Sequence, residues 1–285
     1  MQYAIAIPQT YPDRVRLRRF LQRAEELPLA AAWCIEQMIG KAPVLESVTT
    51  LAYAAAVTER LRLGVAVLLI GQRNPIDLAK SLSSIEVLSN GRLIVGVGLG
   101  GSTSYYPAYG LAPEGRVARF RENLAIMKRL WTEEKVTLDG RFSHLMSIPM
   151  EPKPVQKPHP PIWFGGGRVT PPRGGARRWL HWCQLGAHES VPREHQAVAP
   201  GLSEAKRLYL ALGDNLPRLR EWFGAFYGKP EMADQVALWG SPQRIADQIL
   251  RLKDAGVDYI LLNPVFDEEA QMEQLCQDVL PLCRV

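Results

Sequence analysis

The chain has 285 residues, of which 47% are hydrophobic and 22% charged, and a formal net charge of +5. This length buries a sizeable core and suits one α/β barrel domain, with an ordinary globular composition. Outside residues 168–178 the basic residues form no block, which argues against a nucleic-acid partner, and no apolar run is long enough to span a bilayer.

The opening Met1-Gln-Tyr-Ala-Ile-Ala-Ile7 has neither a basic start nor a cleavage site, so no signal peptide is expected and a cytoplasmic location is. Cys34, Cys183, Cys276 and Cys283 lack zinc-ligand spacing and read as reduced packing thiols.

Residues 3–7 form a short apolar strand stopped by Pro8. Asp13 offers an N-cap, and Val15, Leu17, Phe20, Leu21, Ala24 and Leu27 mark a helix stripe. Residues 30–35 read as a second buried strand ending in Glu36 and Gln37. A charged group just past a buried strand is a salt-bridge partner or a ligand contact. Residues 45–58 read as a second helix, opened by Pro43.

The stretch from Arg60 to Gly101 gives the plan of the whole chain. Residues 61–69 and 93–97 are apolar at nearly every position and rich in Val, Leu and Ile, with a helix-length segment, 76–88, between them. That is a strand, a crossover helix and a parallel strand covered on both faces. Gly96, Gly98, Gly100 and Gly101 then line the strand end, where backbone that meets a ligand closely favours glycine. Tyr105, Tyr106 and Tyr109 follow, either to pack the loop or to stack on a planar ligand.

A long helix spans 114–132, with Arg116, Arg119 and Arg121 in its early turns. An arginine near a strand end can hold a phosphate bidentately. Residues 136–150 read as a hairpin turned at Asp139-Gly140, an excursion from the α/β alternation, and a Pro-rich connector runs to Pro161. Strand five, Ile162-Trp-Phe, ends in Gly165-Gly166-Gly167, whose backbone N–H groups suit a phosphate cradle.

Residues 168–203 break the pattern: the apolar period fades, and Trp179, Trp182, His181, His188 and His195 crowd among Arg and Pro. Nothing there sets metal ligands on one face, so no metal site is assigned. Order returns with a strand at 207–212 and a helix at 215–227. Residues 236–239 lead to a helix at 242–255, capped by Ser241; a strand at 258–263 and a closing helix at 268–280 complete the chain.

About eight strands with helices between most of them point to a single (β/α)8 TIM barrel over 1–285, with an excursion after helix four and an irregular segment after strand five. The rival is a doubly wound open sheet, but its dinucleotide fingerprint needs glycines after the first strand, and that turn is Pro8-Gln-Thr-Tyr. Chemistry on such a barrel sits at the C-terminal strand ends.

Several motifs resemble the bacterial luciferase-like flavin monooxygenase superfamily: Thr58-Glu-Arg-Leu-Arg-Leu-Gly-Val-Ala-Val, Arg73-Asn-Pro, Leu88-Ser-Asn-Gly-Arg-Leu-Ile-Val-Gly-Val-Gly, Arg119-Phe-Arg-Glu, Pro152-Lys-Pro-Val-Gln-Lys-Pro-His-Pro-Pro-Ile-Trp-Phe-Gly-Gly, and Gly240-Ser-Pro. The resemblance implies a TIM barrel that binds FMN or the deazaflavin coenzyme F-420, acts as an oxidoreductase on a small organic substrate, and pairs as a homodimer. It places a non-proline cis peptide at Ala66-Val67, where the flavin ring rests with Leu68, Gly98 and Gly100 nearby. It maps phosphate contacts to Gly165, Gly166, Gly167 and Arg119. Several members carry a histidine after strand two; the matching pair here is Glu36-Gln37, the catalytic candidates, and glutamine cannot act as a general base. Members also continue after the glycines with a helix and an Asp-Gly-Trp strand that this chain lacks, as a divergent insert or a shifted reading frame would produce. The alternatives are therefore a catalytically impaired flavin-binding barrel, or an unrelated barrel enzyme built on a lysine or paired carboxylates.

Overall fold

The computed structural model describes residues 1–8, 10, 13–101, 103–165, 178–181 and 203–283, with the backbone alone at 178–181 and 203–204. Five strands and four helices alternate through its first half: β1 (Gln2–Ala6), α1 (Arg14–Glu26), β2 (Ala31–Cys34), α2 (Ser47–Val57), β3 (Arg62–Val65), α3 (Pro75–Leu88), β4 (Leu93–Gly98) and α4 (Arg116–Thr132), then, after an antiparallel hairpin, β7 (Ile162–Gly165). The hairpin is β5 (Lys135–Asp139) and β6 (His144–Pro149). The second half holds β8 (Arg178–His181), β9 (Ser203–Leu212), α5 (Leu216–Tyr227), α6 (Met232–Val236), β10 (Ala237–Gly240), α7 (Pro242–Asp254), β11 (Val257–Pro264) and α8 (Glu268–Gln274).

The result is an α/β fold on a curled parallel sheet. Eight strands lie in the order β9-β11-β1-β2-β3-β4-β7-β8, and β8 pairs with β9 as well as with β7. β10 pairs with the last four residues of β9. No helix among the described residues is long and apolar enough to cross a membrane.

The helices begin where local chemistry starts them. Asp13 accepts from the N–H groups of Val15 and Arg16, Asn74 from Ile76 and Asp77, and Ser241 from Arg244, so each satisfies donors that a helix leaves open. α2 departs from expectation: it starts at Ser47, not near Pro43, because the Glu46 carboxylate accepts from Val48 and Thr49 and caps it there. The hairpin also departs. Its loop is the four residues 140–143, closed by Gly140 N–H to the Ser143 carbonyl at 2.9 Å. The Glu122 carboxylate accepts from Arg141 and Phe142 N–H, both at 2.9 Å, and this favours the wider loop over a two-residue Asp-Gly turn.

Two further corrections concern strands. The apolar run 61–69 is strand only to Val65; the Ala66–Val67 peptide is cis, and the chain rejoins β4 through a single bridge, Leu68 to Val97. Within 168–203, read as irregular, β8 is a strand, and β9 begins at Ser203 rather than 207. β8 has partners on both sides, so pairing with neighbours supplies what its local pattern lacks.

Two apolar layers explain why the strands are hydrophobic on both faces. Ile5, Ile7, Leu63, Val65, Leu93, Val95 and Phe164 pack with the stripes of α1–α4, among them Leu21, Leu51, Leu82 and Leu130. The opposite faces enclose Ala4, Ala6, Ala31, Trp33, Ile94, Trp163, Ala205, Tyr259 and Leu261. Trp33 is fully buried, lies 4.9 Å from the Trp163 ring, and donates its indole N–H to the Tyr259 hydroxyl at 2.8 Å. Small residues make room for it: a Cβ on Gly64 would sit 2.5 Å from the Trp33 ring. This aromatic plug closes the interior and leaves the site to the strand ends.

Candidate active site

A cavity of about 560 Å³ opens where β2, β3, β4 and β7 end, with Arg207 from within β9 on its wall, and falls within the size range of small-molecule sites. Ile35, Val67, Leu69, Leu99 and Phe226 give it apolar walls; Gly100, Gly101 and Gly165 give bare backbone; Arg116 and Arg207 give positive charge. Apolar walls with a few convergent polar groups suit a flat organic ligand bearing negative charge.

The floor is the segment after β3. Val67 follows the cis bond and lines the cavity, whereas Ala66 and Leu68 are fully buried beneath it. The chain lies so close to β4 because β4 carries glycines. A Cβ on Gly96 would stand 2.0 Å from the Val65 carbonyl oxygen, and one on Gly98 would stand 2.4 Å from Val67 Cγ2. Leu68 N–H donates to the Gly96 carbonyl at 2.8 Å, and Gly98 N–H to the Leu68 carbonyl at 2.9 Å. Gly98 therefore acts through strand packing. Gly100, at φ +71°, and Gly101 meet the cavity.

Of the other sequence candidates, Gly165 lines the cavity, while Gly166 and Gly167 lie outside the described residues. Arg119 is not among the residues that line this cavity. Its guanidinium turns away, 4.5 Å over the Phe142 ring and 3.3 Å from the Ala112 carbonyl, and Arg116, one turn earlier, lines the cavity instead. Tyr106 is buried and packs the loop, while Tyr105 is half exposed.

Glu36 borders the same cavity. Its side chain is nonetheless 0% exposed, and its carboxylate is engaged by neighbours within the protein. It accepts from the Leu69 N–H, from Ser47 Oγ at 3.3 Å, and from Arg73, whose Nε lies at 2.8 Å and whose Nη2 also pairs with it. Arg73 Nη2 reaches Glu46 Oε1 at 2.6 Å as well. Burial pushes the Glu36 carboxyl above its ordinary value, and Arg73 and the Leu69 N–H pull it down. Burial also raises Glu46, but hydrogen bonds from Thr49, Arg73 and Val48 outweigh it and hold that carboxyl below the ordinary range. Gln37 does line the cavity, and its Oε1 is buried without a hydrogen-bond partner. Its amide occupies the space that a Cβ on Gly40 would fill, 1.6 Å from Nε2.

Sequence reasoning missed Arg207, Phe226 and Tyr227. Arg207 is 2% exposed, stacks 4.7 Å over the Tyr209 ring, and donates to the Asn263 amide oxygen at 2.7 Å once that amide is turned to face it. A charge inside an apolar strand was the available signal. Phe226 and Tyr227 come from α5, where Phe226 stacks on Trp222 at 4.8 Å and Tyr227 shares a 2.6 Å hydrogen bond with Tyr209. A helical aromatic stripe reads as core, and only the position of α5 brings it to the cavity.

Relatives match most of the chain. The chain is 27% identical over 288 residues to an FMNH(2)-dependent dimethylsulfone monooxygenase of Pseudomonas putida, with 84% of this chain and 78% of that protein covered. It is 26% identical over 323 residues to an F420-dependent glucose-6-phosphate dehydrogenase of Amycolatopsis mediterranei, with 94% of each covered. In fold it is similar to an F420-dependent secondary alcohol dehydrogenase solved with an F420-acetone adduct, at TM-score 0.81, 17% identity and full coverage of both chains. The profile of the luciferase-like monooxygenases matches residues 4–207, from β1 across the cis Ala66–Val67 floor to the buried arginine of β9, and the chain belongs to that family.

Proposed function

We propose that this protein is an oxidoreductase that binds a flavin-type tricyclic cofactor, FMN or the deazaflavin coenzyme, and acts on a small uncharged organic substrate. The observation that carries this reading is the floor at Val67, pressed against a glycine-bearing β4 and flanked by bare backbone at Gly100 and Gly165. The pairing of β8 with both β7 and β9 supports a complete (β/α)8 barrel, a fold whose sites lie where the strands end. The two curated relatives, one FMNH(2)-dependent and one F420-dependent, support the cofactor class.

The residues present fit such a group. Val67, Leu69 and Leu99 would support the flat ring, Gly100 and Gly165 would let backbone approach it, and Arg116 and Arg207 would hold an anionic tail. The bound cofactor supplies electrons, as hydride or to dioxygen. Gln37 contributes a hydrogen bond at the second strand end and moves no proton. Phe226 and Tyr227 form the outer wall, which excludes water and selects an apolar substrate.

Equilibrium binding, read by fluorescence quenching with FMN and with the deazaflavin coenzyme in both redox states, tests this. Binding of one of them at a 1:1 ratio is expected. A folded protein that binds neither would overturn the reading.

A further inference from the structure

We propose that Glu36 and Arg73, braced by Glu46, are positioning residues for the cavity floor: they fix residues 67–73 and so set the surface on which the ligand rests. The ligand half of this statement rests on the cofactor reading above; the loop half does not.

The geometry is a closed set of contacts. Glu36 takes the N–H of Leu69, a cavity-lining residue two positions past Val67, and takes Arg73 from the far end of the same loop. One carboxylate thus grips both ends of a five-residue segment. Arg73 ties that segment to Glu46, which in turn caps α2 through Val48 at 3.1 Å and Thr49 at 2.7 Å. From the other side Asn123 of α4, 3% exposed, donates to the Ile70 carbonyl at 2.8 Å and the Arg73 carbonyl at 3.2 Å. The next residue, Asn74, caps α3. Arg73-Asn-Pro is therefore a hinge of three parts: an ion-pair anchor, a helix cap and a helix start.

The chemistry argues for positioning rather than stability. Burying a carboxylate with a guanidinium costs desolvation that apolar packing avoids, so such pairs are weak stabilisers. What they supply is direction: a carboxylate accepts at fixed angles and a guanidinium donates in a rigid fork. Here those directions converge on the one loop that turns a strand into the cavity floor. Glu36 has no exposed side-chain surface, so it acts on a ligand through Leu69 and Val67 and not by contact.

The test uses the full-length protein with Glu36→Gln and Arg73→Lys. A glutamine at 36 keeps the shape but can serve only one of the two partners. A lysine at 73 keeps the charge and loses the fork; that side chain is 18% exposed, against 0% for Glu36, so it is the milder of the two changes. Hydrogen exchange of the 67–73 segment is read first, without any ligand. Each variant is expected to exchange there at least ~10-fold faster, with β4 unchanged. The dissociation constant of the cofactor is read second and is expected to rise ~10-fold or more. The double variant Glu36→Gln/Arg73→Lys is expected to be no worse than the worse of its two single changes, because the pair acts as one. Unchanged exchange in both variants overturns the proposal. So does a loosened loop with unaltered affinity, or lost turnover with exchange and affinity both intact, which would make Glu36 an acid–base group after all. If the unmodified protein binds neither cofactor, the cofactor reading fails, and the exchange measurement still decides whether Glu36 and Arg73 fix the loop.

Discussion

Gly96 and Gly101 stand five residues apart near the end of β4, and a methyl group means opposite things at each. At Gly96 it would meet the Val65 carbonyl oxygen at 2.0 Å, a backbone atom that cannot rotate aside. At Gly101 it would meet nothing within 4 Å. Gly96→Ala should cost about 3 kcal/mol of stability, as overpacking against backbone does, and Gly101→Ala less than ~0.5 kcal/mol. Urea unfolding checks the pair; equal midpoints would mean that β3 and β4 do not approach as described. The glycine run was legible as a sign of close approach. What approaches was not: at Gly96 and Gly98 it is the end of β3 and the segment running on from it, and at Gly100 it is the side chain of Leu69 on the cavity wall. A run of identical residues carries no mark of which neighbour each one serves.

At the scale of elements, buried polar groups do the joining. Glu86 of α3 is 0% exposed, and its carboxylate accepts from Leu93 N–H at 3.0 Å, Gln156 N–H at 3.0 Å and Gln156 Nε2 at 2.8 Å. One side chain thereby links a helix, the start of β4 and the proline-rich connector. Glu86→Ala strands those donors and is expected to cost about 2–4 kcal/mol, whereas Glu86→Gln keeps part of the set and costs less. Chemical denaturation of the two variants measures the difference; an alanine variant as stable as the parent would remove the joint. The first and last helices are stitched in another way. Arg16, Arg19 and Arg23 of α1 pair with Glu268, Glu269 and Glu273 of α8, the latter two at 2.8 and 2.6 Å. Apart from Glu268 these side chains are partly exposed, so the pairs guide the seam more than they stabilise it.

For the whole molecule, the curled sheet ties the cavity to global stability. β1, β2, β4, β7, β9 and β11, with the segment that follows β3, contribute to the cavity or to the aromatic plug beneath it. A ligand that binds only the folded state stabilises it by mass action, about 2.7 kcal/mol at a hundredfold excess over its dissociation constant. For a chain of this size each kcal/mol moves the melting temperature by roughly 2–4 °C, so a rise of about 5–10 °C is expected with the correct cofactor. A thermal-shift series with FMN and the deazaflavin coenzyme reads this directly, and flat curves with both would count against a shared cofactor and folding unit.

The amino-acid sequence by itself determined the local and the periodic. Doubly apolar runs separated by amphipathic segments imposed buried parallel strands and covering helices, because each period puts its apolar set on a fixed face. Asp13, Asn74 and Ser241 started helices through hydrogen bonds spanning two or three residues. Tertiary structure alone decided the matters that depend on distant partners. Glu36 became an anchor because Arg73 and Leu69 fold back onto it, and Arg116 rather than Arg119 lines the cavity, the latter lying over the Phe142 ring of the hairpin loop. β8 became a strand because β7 and β9 offered it two edges. A charged side chain has reach enough for several partners, and a weakly patterned segment has no preference of its own. In both cases the outcome is set by which groups the fold brings within about 3 Å.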